Sequence, residues 1–139
     1  MIIPIEKVLY TARVHTTGGR EGGACVSDDG HLNIKTTPPG HGEGTNPEQL
    51  LAAGWSTCYT SAMKIVAGQM KLRLPPETAI DVEIDLGTGQ GGYLLAARFN
   101  ISLPGLEREV AQAIVDGAHK QCPYSKALRD SVALTTNLV

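Results

Sequence analysis

Residues 45–70, TNPEQLLAAGWSTCYTSAMKIVAGQM, form the longest run with helix signals, and this stretch decides the fold. Thr45 or Asn46 suits a helix cap. Pro47 fits the first helical position, and Glu48 falls in the first turn, where free backbone N–H groups favour an acidic side chain. The apolar and small residues that follow leave almost no continuous polar face, so we predict a central helix enclosed by sheet or by a partner. Hydroxyl residues and a lysine keep the apolar run below the roughly 20 residues that a membrane span needs.

Strand patterns flank this helix on both sides. Before it, residues 5–16 alternate apolar and polar side chains, and short strands are expected at residues 24–27 and 31–36, followed by a loop over residues 37–44. After it, the chain shows a hairpin with strands at 79–86 and 93–103 and a loop at 87–92, helices at 106–120 and 124–130, and a strand at 132–139. This order predicts an α+β fold, and we expect residues 1–139 to form a single domain.

Composition excludes several classes of function. Lys and Arg number 12 against 14 Asp and Glu, so no basic excess indicates a nucleic-acid surface. The N-terminal sequence MIIPIEKVLY is not followed by an export signal, and three cysteines do not make a disulfide framework. We therefore expect a cytoplasmic protein that binds neither nucleic acid nor membrane. Its cysteines are expected either to take part in chemistry or to serve only as small apolar residues.

Two of the cysteines lie in sequences that suit thiol chemistry. If residues 54–56 break the long helix and Ser56 caps a new one, Cys58 lies in a first turn, where the helix end favours the thiolate. Cys122 precedes Pro123 at a helix end, where we expect a half-exposed thiol that could attack a sulfenic acid formed on Cys58. The alternative is that Cys58 is a small core residue and that the two thiols are unrelated. Cys25, on a predicted strand, is interpreted as a residue that serves only packing.

Arg20 and Glu48 are candidates for activating such a thiol. Arg20 ends a glycine-rich turn, and a guanidinium could hold a thiolate while a carboxylate fixes its plane. On one straight helix Glu48 lies ~15 Å from Cys58. A joint site therefore needs the helix break, a long arginine as a bridge, or Glu48 from a second subunit. The alternatives are that Arg20 is a solvated turn residue and that Glu48 interacts only with the helix dipole.

Other chemistries receive less support from the sequence. The four histidines and three cysteines show no C-x-x-C or H-x-x-x-H spacing, so no metal site is expected. A cysteine-hydrolase pair of Cys58 with His119 remains open in principle.

Five motifs together resemble one known family. They are Leu9-Tyr10-Thr11-Ala12, Thr17-Gly18-Gly19-Arg20, Gly44-Thr45-Asn46-Pro47-Glu48-Gln49-Leu50, Ala52-Ala53-Gly54-Trp55-Ser56-Thr57-Cys58 and Cys122-Pro123-Tyr124-Ser125. This combination resembles the organic hydroperoxide resistance (Ohr) proteins of the OsmC/Ohr family, and the Cys-Pro-Tyr-Ser form is closer to the Ohr branch. The resemblance spans essentially the whole chain. Trp55, Tyr59 and Lys126 depart from the usual residues, which concerns pocket shape rather than the reaction.

The resemblance implies a site and an activity. Cys58 matches the peroxidatic cysteine, Cys122 the resolving cysteine, and Arg20 and Glu48 the pair that activates the thiolate. It also implies an intertwined homodimer with antiparallel sheets wrapped around central helices, and reduction of the disulfide by a dithiol, in this family dihydrolipoyl groups on lipoylated proteins. No bound cofactor is needed.

Apolar residues around the thiol are expected to favour alkyl or fatty-acid hydroperoxides over hydrogen peroxide. The expected pocket residues are Leu50, Leu51, Trp55, Tyr59 and Tyr124. Two alternatives of another class stay open: a non-catalytic module that binds apolar ligands, and a redox sensor that forms the same disulfide.

Overall fold

The computed structural model describes residues 2–139, and the chain divides into two compact units, Met1–Pro47 and Glu48–Val139. Because the division concerns contacts within the chain, the expectation of a single domain stays a prediction. The fold class is as predicted: two three-stranded sheets and three helices form an α+β architecture. No helix in the described part of the chain is long and apolar enough to cross a membrane.

The first unit is a small antiparallel sheet. Its strands are β1 (Val14–Thr17), β2 (Gly23–Ser27) and β3 (Asn33–Thr36), and a 3-10 turn at Gly19–Glu21 joins the first two. Val14 pairs with Ser27 at one end of β1, and Thr17 pairs with Ala24 at the other. The predicted loop at 37–44 is confirmed as irregular backbone.

The predicted strand at residues 5–16 is wrong for most of its length. After the Val14–Ser27 pair, one more backbone bond joins the Asp28 N–H to the Arg13 carbonyl, and the chain of β2 then turns away towards β3. Residues 5–13 therefore run past the end of β2, and the alternating side chains at Val8 and Tyr10 stay exposed. An apolar alternation makes a strand only where a neighbouring strand completes its hydrogen bonds.

The second unit packs three helices on a mixed sheet. Its elements are α1 (Pro47–Gln69), β4 (Ala79–Gly89), β5 (Gly92–Ser102), α2 (Arg108–Gln121), α3 (Pro123–Leu128) and β6 (Ala133–Leu138). Strand β5 lies in the middle, antiparallel to β4 and parallel to β6. The expectation of antiparallel sheets therefore holds for the first sheet and for β4–β5, and it is wrong for the β5–β6 pair. The hairpin is tighter than predicted, because β4 and β5 extend to a two-residue turn at Gln90 and Gly91.

The core of the second unit lies between α1, α2 and the sheet. Trp55 and Tyr59 of α1 both meet Phe99 of β5 edge-to-face, with ring centroids 5.1 Å apart. Such aromatic pairs add to the free energy of apolar burial. Helix α2 comes close to α1 at Gly117, where a Cβ atom would lie 2.9 Å from Val66 Cγ1. The small residue therefore lets the two helices pack closely.

The burial of α1 is one-sided within a single chain. Six of its residues are buried, whereas another stripe along the helix is exposed, including Ile65 at 54%. The exposed stripe contains Ala53, Thr57, Ser61, Lys64, Ile65 and Gly68. Enclosure on all sides, as expected from the sequence, is therefore not reached by this chain alone.

Candidate functional site

Cys58 lies in the middle of an unbroken helix. Helix α1 runs through residues 54–56 without interruption, so the predicted break is wrong. The Ser56 hydroxyl donates to the Ala52 carbonyl 2.7 Å away, which is a bond within the helix rather than a cap on a new one. Cys58 is thus remote from any helix start on its own element, and helix-end stabilisation of its thiolate from α1 does not apply.

Gly54 serves packing where the sequence suggested a break. A Cβ atom at this position would lie 2.6 Å from Tyr124 Oη, so the absent side chain leaves room for the tyrosine. Tyr124 belongs to α3, and its ring therefore lies over α1 one turn before Cys58. A glycine inside a helix costs about 1 kcal/mol relative to alanine and is tolerated where such a contact compensates.

Cys122 occupies the junction between two helices. Its N–H donates to the Ala118 carbonyl at the end of α2, and its own carbonyl accepts from the Lys126 N–H in α3. Pro123 starts α3, as its fixed φ favours at a first helical position. The Cys122 side chain is fully buried, so the expectation of a half-exposed thiol is wrong. The junction folds inward against α1 because the residues that follow it dock on that helix.

The two thiols lie near each other. Cys58 and Cys122 are both free thiols, and Cys122 is close enough to Cys58 to raise its pKa. They are separated by 64 positions in sequence, yet the fold of the second unit makes them neighbours. A disulfide between them requires their Cβ atoms to lie about 3.5–4.5 Å apart.

The surroundings of Cys58 favour the neutral thiol. Burial raises the pKa of the Cys58 thiol above its ordinary value, and the neighbouring Cys122 raises it further. The backbone N–H of Tyr124 acts in the opposite direction and lowers the pKa, because it favours the thiolate. The net direction is upward, so the second unit supplies a nucleophile that needs further activation at neutral pH.

A buried hydrogen bond fastens α3 to α1 beside the thiols. The indole Nε1 of Trp55 donates to Ser125 Oγ at 2.9 Å, and both side chains are fully buried. Ser125 was not singled out by the sequence reasoning, which named it only as part of a motif. The signal that could have found it is physical: a buried tryptophan needs an acceptor for its N–H, and a serine in a buried motif can provide one.

The expected pocket residues lie in different surroundings. Leu50 and Leu51 are half-buried in the first turns of α1, and Trp55 and Tyr59 are fully buried in the core. Tyr124 is 41% exposed. That these side chains contact a substrate stays a prediction.

A cavity of about 340 Å³ opens beside Tyr59, and neither Cys58 nor Cys122 is among its lining residues. Its lining includes Val115, Asp116, His119, Lys120, Leu134 and Thr136. The Tyr59 hydroxyl is used inside the chain, where it donates to the Val115 carbonyl at 2.7 Å. Burial, with a contribution from the Arg129 charge, lowers the pKa of His119, whose Nδ1 has no hydrogen-bond partner within the described residues.

Arg20 and Glu48 belong to different units. Arg20 is exposed in the 3-10 turn of the first unit, and Glu48 is half-buried in the first turn of α1 in the second. Because α1 is continuous, Glu48 lies ~15 Å along the helix from Cys58. The helix break is thereby excluded as a route to a joint site, and a bridging arginine or a second subunit stay open.

The remaining candidates show no link to the thiol pair. Cys25 on β2 is half-buried, and the Thr16 hydroxyl points at its sulfur at 3.5 Å. Within residues 2–139, no group of three or more His, Cys, Asp and Glu side chains is arranged to hold a metal ion.

Comparison with known proteins gives this geometry a family context. Residues 40–137 match the family model described as OsmC-like protein. The organic hydroperoxide resistance protein of Xanthomonas axonopodis pv. citri is 46% identical over 138 residues, which cover 96% of each chain. The crystal structure of OhrB from Bacillus subtilis superposes with a TM-score of 0.89 at 36% identity, covering 95% of this chain and 100% of that one.

A further solved structure agrees. The organic hydroperoxide resistance protein of Elizabethkingia anophelis gives a TM-score of 0.86 at 33% identity, over 95% of this chain and 97% of that one. The model match covers most of the chain, and the identity to a relative extends over nearly all of it. This chain therefore belongs to the OsmC/Ohr family.

Proposed function

We propose that this protein is a thiol-dependent peroxidase that reduces organic hydroperoxides to alcohols and so protects against oxidative stress. The observation that carries the proposal is the pair of free thiols, Cys58 and Cys122, which lie close together in the second unit. The names of the relatives, organic hydroperoxide resistance proteins, support the choice of substrate class.

The reaction consists of three balanced steps. The Cys58 thiolate attacks the terminal oxygen of the O–O bond, Cys58 becomes a sulfenic acid, and the alkoxide leaves and takes a proton to become the alcohol. The Cys122 thiol then attacks the sulfenic sulfur, which forms the Cys58–Cys122 disulfide and releases water. An external dithiol reduces this disulfide by two thiol–disulfide exchanges and is itself oxidised to a disulfide.

Activation of Cys58 is assigned to Arg20 and Glu48. The pKa of Cys58 is raised by burial, so a positive charge near the sulfur is needed to populate the thiolate at neutral pH. In the proposal the Arg20 guanidinium supplies that charge and stabilises the departing alkoxide, while Glu48 orients the guanidinium. This part rests on the sequence motifs around the two residues and not on their positions.

An apolar substrate is favoured over hydrogen peroxide. Leu50, Leu51 and Tyr124 provide accessible apolar surface along α1 and α3, while Trp55 and Tyr59 are fully buried in the core of the unit. Only an alkyl or fatty-acid hydroperoxide has a chain to bury against that surface. The proposal assigns contact with the chain to the side chains that remain partly accessible, of which Tyr124 is the most exposed.

We also propose that the protein works as a homodimer. The exposed stripe on α1, with Ile65 at 54%, and the exposed apolar residues near the N-terminus are surfaces that a second copy would bury. Those N-terminal residues are Ile2, Ile3, Ile5, Val8, Leu9 and Tyr10. Light scattering coupled to size-exclusion chromatography measures the mass directly, and a monomer at micromolar concentration contradicts this part.

Turnover with a dithiol tests the function. The purified protein should consume cumene hydroperoxide continuously with dihydrolipoamide as reductant, and more slowly with hydrogen peroxide. Glutathione at equal thiol concentration serves as the monothiol control. A protein that binds the hydroperoxide but keeps its thiols is a binding module, and one that forms the disulfide without cycling is a sensor. Either result contradicts the proposal.

A further inference from the structure

The segment that carries Cys122 is docked on α1 at two neighbouring points. Tyr124 fills the space left by Gly54, and Ser125 Oγ accepts the Trp55 Nε1–H bond at 2.9 Å. The backbone N–H of Tyr124 also acts on Cys58, whose pKa it lowers. Tyr124 and Ser125 both lie within three positions of Cys122. The junction between α2 and α3 is therefore fixed against the nucleophile's helix by more than the thiols themselves.

The Trp55–Ser125 bond and the Cys58–Cys122 pair have the same residue spacing on both helices. Trp55 and Cys58 are three residues apart on α1, so their side chains lie on the same side of the helix. Cys122 and Ser125 are also three residues apart, at the start of α3. The Trp55–Ser125 bond thus runs beside the Cys58–Cys122 pair, and a slide or rotation of α3 along α1 changes both together.

Loss of the Trp55–Ser125 hydrogen bond would be costly. Trp55 and Ser125 are fully buried, so an indole N–H that lost its acceptor would find no water to replace it. A buried hydrogen bond of this kind accepts small displacements and resists larger ones, because its strength falls steeply with distance and angle. Disulfide formation has equally narrow geometric requirements.

We propose that Trp55 and Ser125 are positioning residues for the resolving step, in that their hydrogen bond holds the Cys122 sulfur in register with Cys58. The inference rests on the proposed function and deepens it. Without this bond Cys122 attacks the sulfenic acid more slowly, and the sulfenic acid is then open to a second hydroperoxide, which oxidises it to sulfinic acid while a second alcohol is released.

The kinetic test separates the two chemical steps. Ser125→Ala removes the acceptor, and Trp55→Phe removes the donor while it keeps an aromatic ring. In rapid-quench single turnover with cumene hydroperoxide, we expect the disulfide to close about tenfold more slowly in both variants, while sulfenic acid forms in Ser125→Ala within about twofold of the wild-type rate. The double variant should be no slower than either single variant, because the same bond is lost in each case.

Ile114→Val is the matched control for a general loss of stability. Ile114 is fully buried in α2 and is not a partner in the Trp55–Ser125 bond, so its truncation weakens the core while it leaves both partners of that bond in place. We expect both steps to keep their wild-type rates. Ser125→Thr keeps a hydroxyl acceptor and should recover part of the resolving rate. Equal closure rates in wild type, Ser125→Ala and Trp55→Phe would overturn the proposal.

An equilibrium measurement keeps this test independent of the peroxidase reaction. The equilibrium constant for forming the Cys58–Cys122 disulfide against a glutathione redox buffer reports the effective concentration of one thiol at the other. We expect it to fall about tenfold in Ser125→Ala and in Trp55→Phe. If wild-type protein does not form the disulfide with hydroperoxide, the proposed function fails. If it does, and both variants match it in rate and equilibrium, only the positioning role fails.

Discussion

The surroundings of Cys58 and of Arg20 differ in how each residue is held. Cys58 lies on a 23-residue helix, beside a buried thiol and a buried tryptophan–serine bond, so its position is set by the core of the second unit. Arg20 lies in a three-residue turn of the first unit, exposed and flanked by glycines. Core packing fixes a nucleophile well but raises its pKa.

This contrast suggests a division of labour. The buried region supplies two thiols in register and an apolar setting, and it disfavours the ionised sulfur that the reaction uses. In the proposed function the exposed turn supplies the missing positive charge. Substitutions in the two regions should therefore fail in different ways, one in the chemistry of the sulfurs and the other in the pH at which they react.

The largest expected effect comes from the thiols themselves. Cys58→Ser should reduce hydroperoxide turnover by at least about 10³-fold, because a serine hydroxyl is not ionised at neutral pH. Cys122→Ser should reduce one equivalent of hydroperoxide and then stop, since no resolving thiol remains. Hydroperoxide consumption measured against enzyme concentration distinguishes the two outcomes. Cys25→Ser is the control and should turn over normally; a loss of activity there would assign chemistry to the wrong cysteine.

Removal of the positive charge of Arg20 should have the next largest effect. Arg20→Ala should slow the first step by about 10²-fold at neutral pH, because the thiolate becomes rarer and the alkoxide loses its partner. The sign of the pH effect follows from the raised pKa of Cys58: without the arginine, the rate should rise at higher pH than in the wild type. Arg73→Ala, a change at another exposed arginine, should leave the pH profile in place. An unshifted profile in Arg20→Ala would contradict the division of labour.

Gly23→Ala tests how strongly the turn itself is constrained. A Cβ at this position would collide with the Thr17 carbonyl and with backbone atoms of Gly19, so the turn must distort. We expect a loss of about 3 kcal/mol in the free energy of unfolding, measured by denaturant titration. Gly30→Ala, where a Cβ would meet nothing within 4 Å, should cost only the strain of its positive φ, about 1 kcal/mol. Equal losses in the two variants would show that the turn can adapt.

A pair of glycines on α1 gives the smallest effects and compares two sites on one helix. Gly54→Ala brings a methyl group to 2.6 Å from Tyr124 Oη and should destabilise the protein by about 2 kcal/mol as the tyrosine is displaced. Gly68→Ala meets nothing within 4 Å in its own chain and should stabilise the subunit by about 0.5 kcal/mol through helix propensity. Because Gly68 lies on the stripe assigned to the homodimer interface, a loss of stability here would instead indicate that the partner approaches closely. Thermal unfolding of both variants measures the difference. A stabilising Gly54→Ala would mean that Tyr124 does not depend on this contact.

Much of the fold followed from local patterns in the sequence. The central helix begins at Pro47, as its capping residues indicated, and the hairpin of β4 and β5 follows the clean alternation of its residues. The strand expected at 5–16 failed because alternation does not reveal whether a neighbouring strand exists. The parallel pairing of β6 with β5 is likewise a property of the whole unit and has no local signal.

The residues of the site could be predicted from the sequence only in part, for a similar reason. Cys58 and Cys122 were named from motifs, but their proximity depends on how α3 docks on α1, which sequence spacing does not encode. A helix break at residues 54–56 was one of the possibilities that the sequence left open, whereas in the structure Gly54 leaves room for Tyr124 inside a continuous helix. The role of Ser125 could not be predicted, because it depends on the burial of Trp55, whose N–H then needs an acceptor.

The most direct measurement is a single turnover of the reduced protein with one equivalent of cumene hydroperoxide, read by intact mass and peptide mapping. Hydrogen peroxide in a parallel reaction tests the preference for an organic substrate. The proposed function predicts that the protein loses two hydrogens, that the peptides of Cys58 and Cys122 become linked, and that the organic hydroperoxide reacts faster. An unchanged mass in folded protein, or a bridge that involves Cys25, would contradict it.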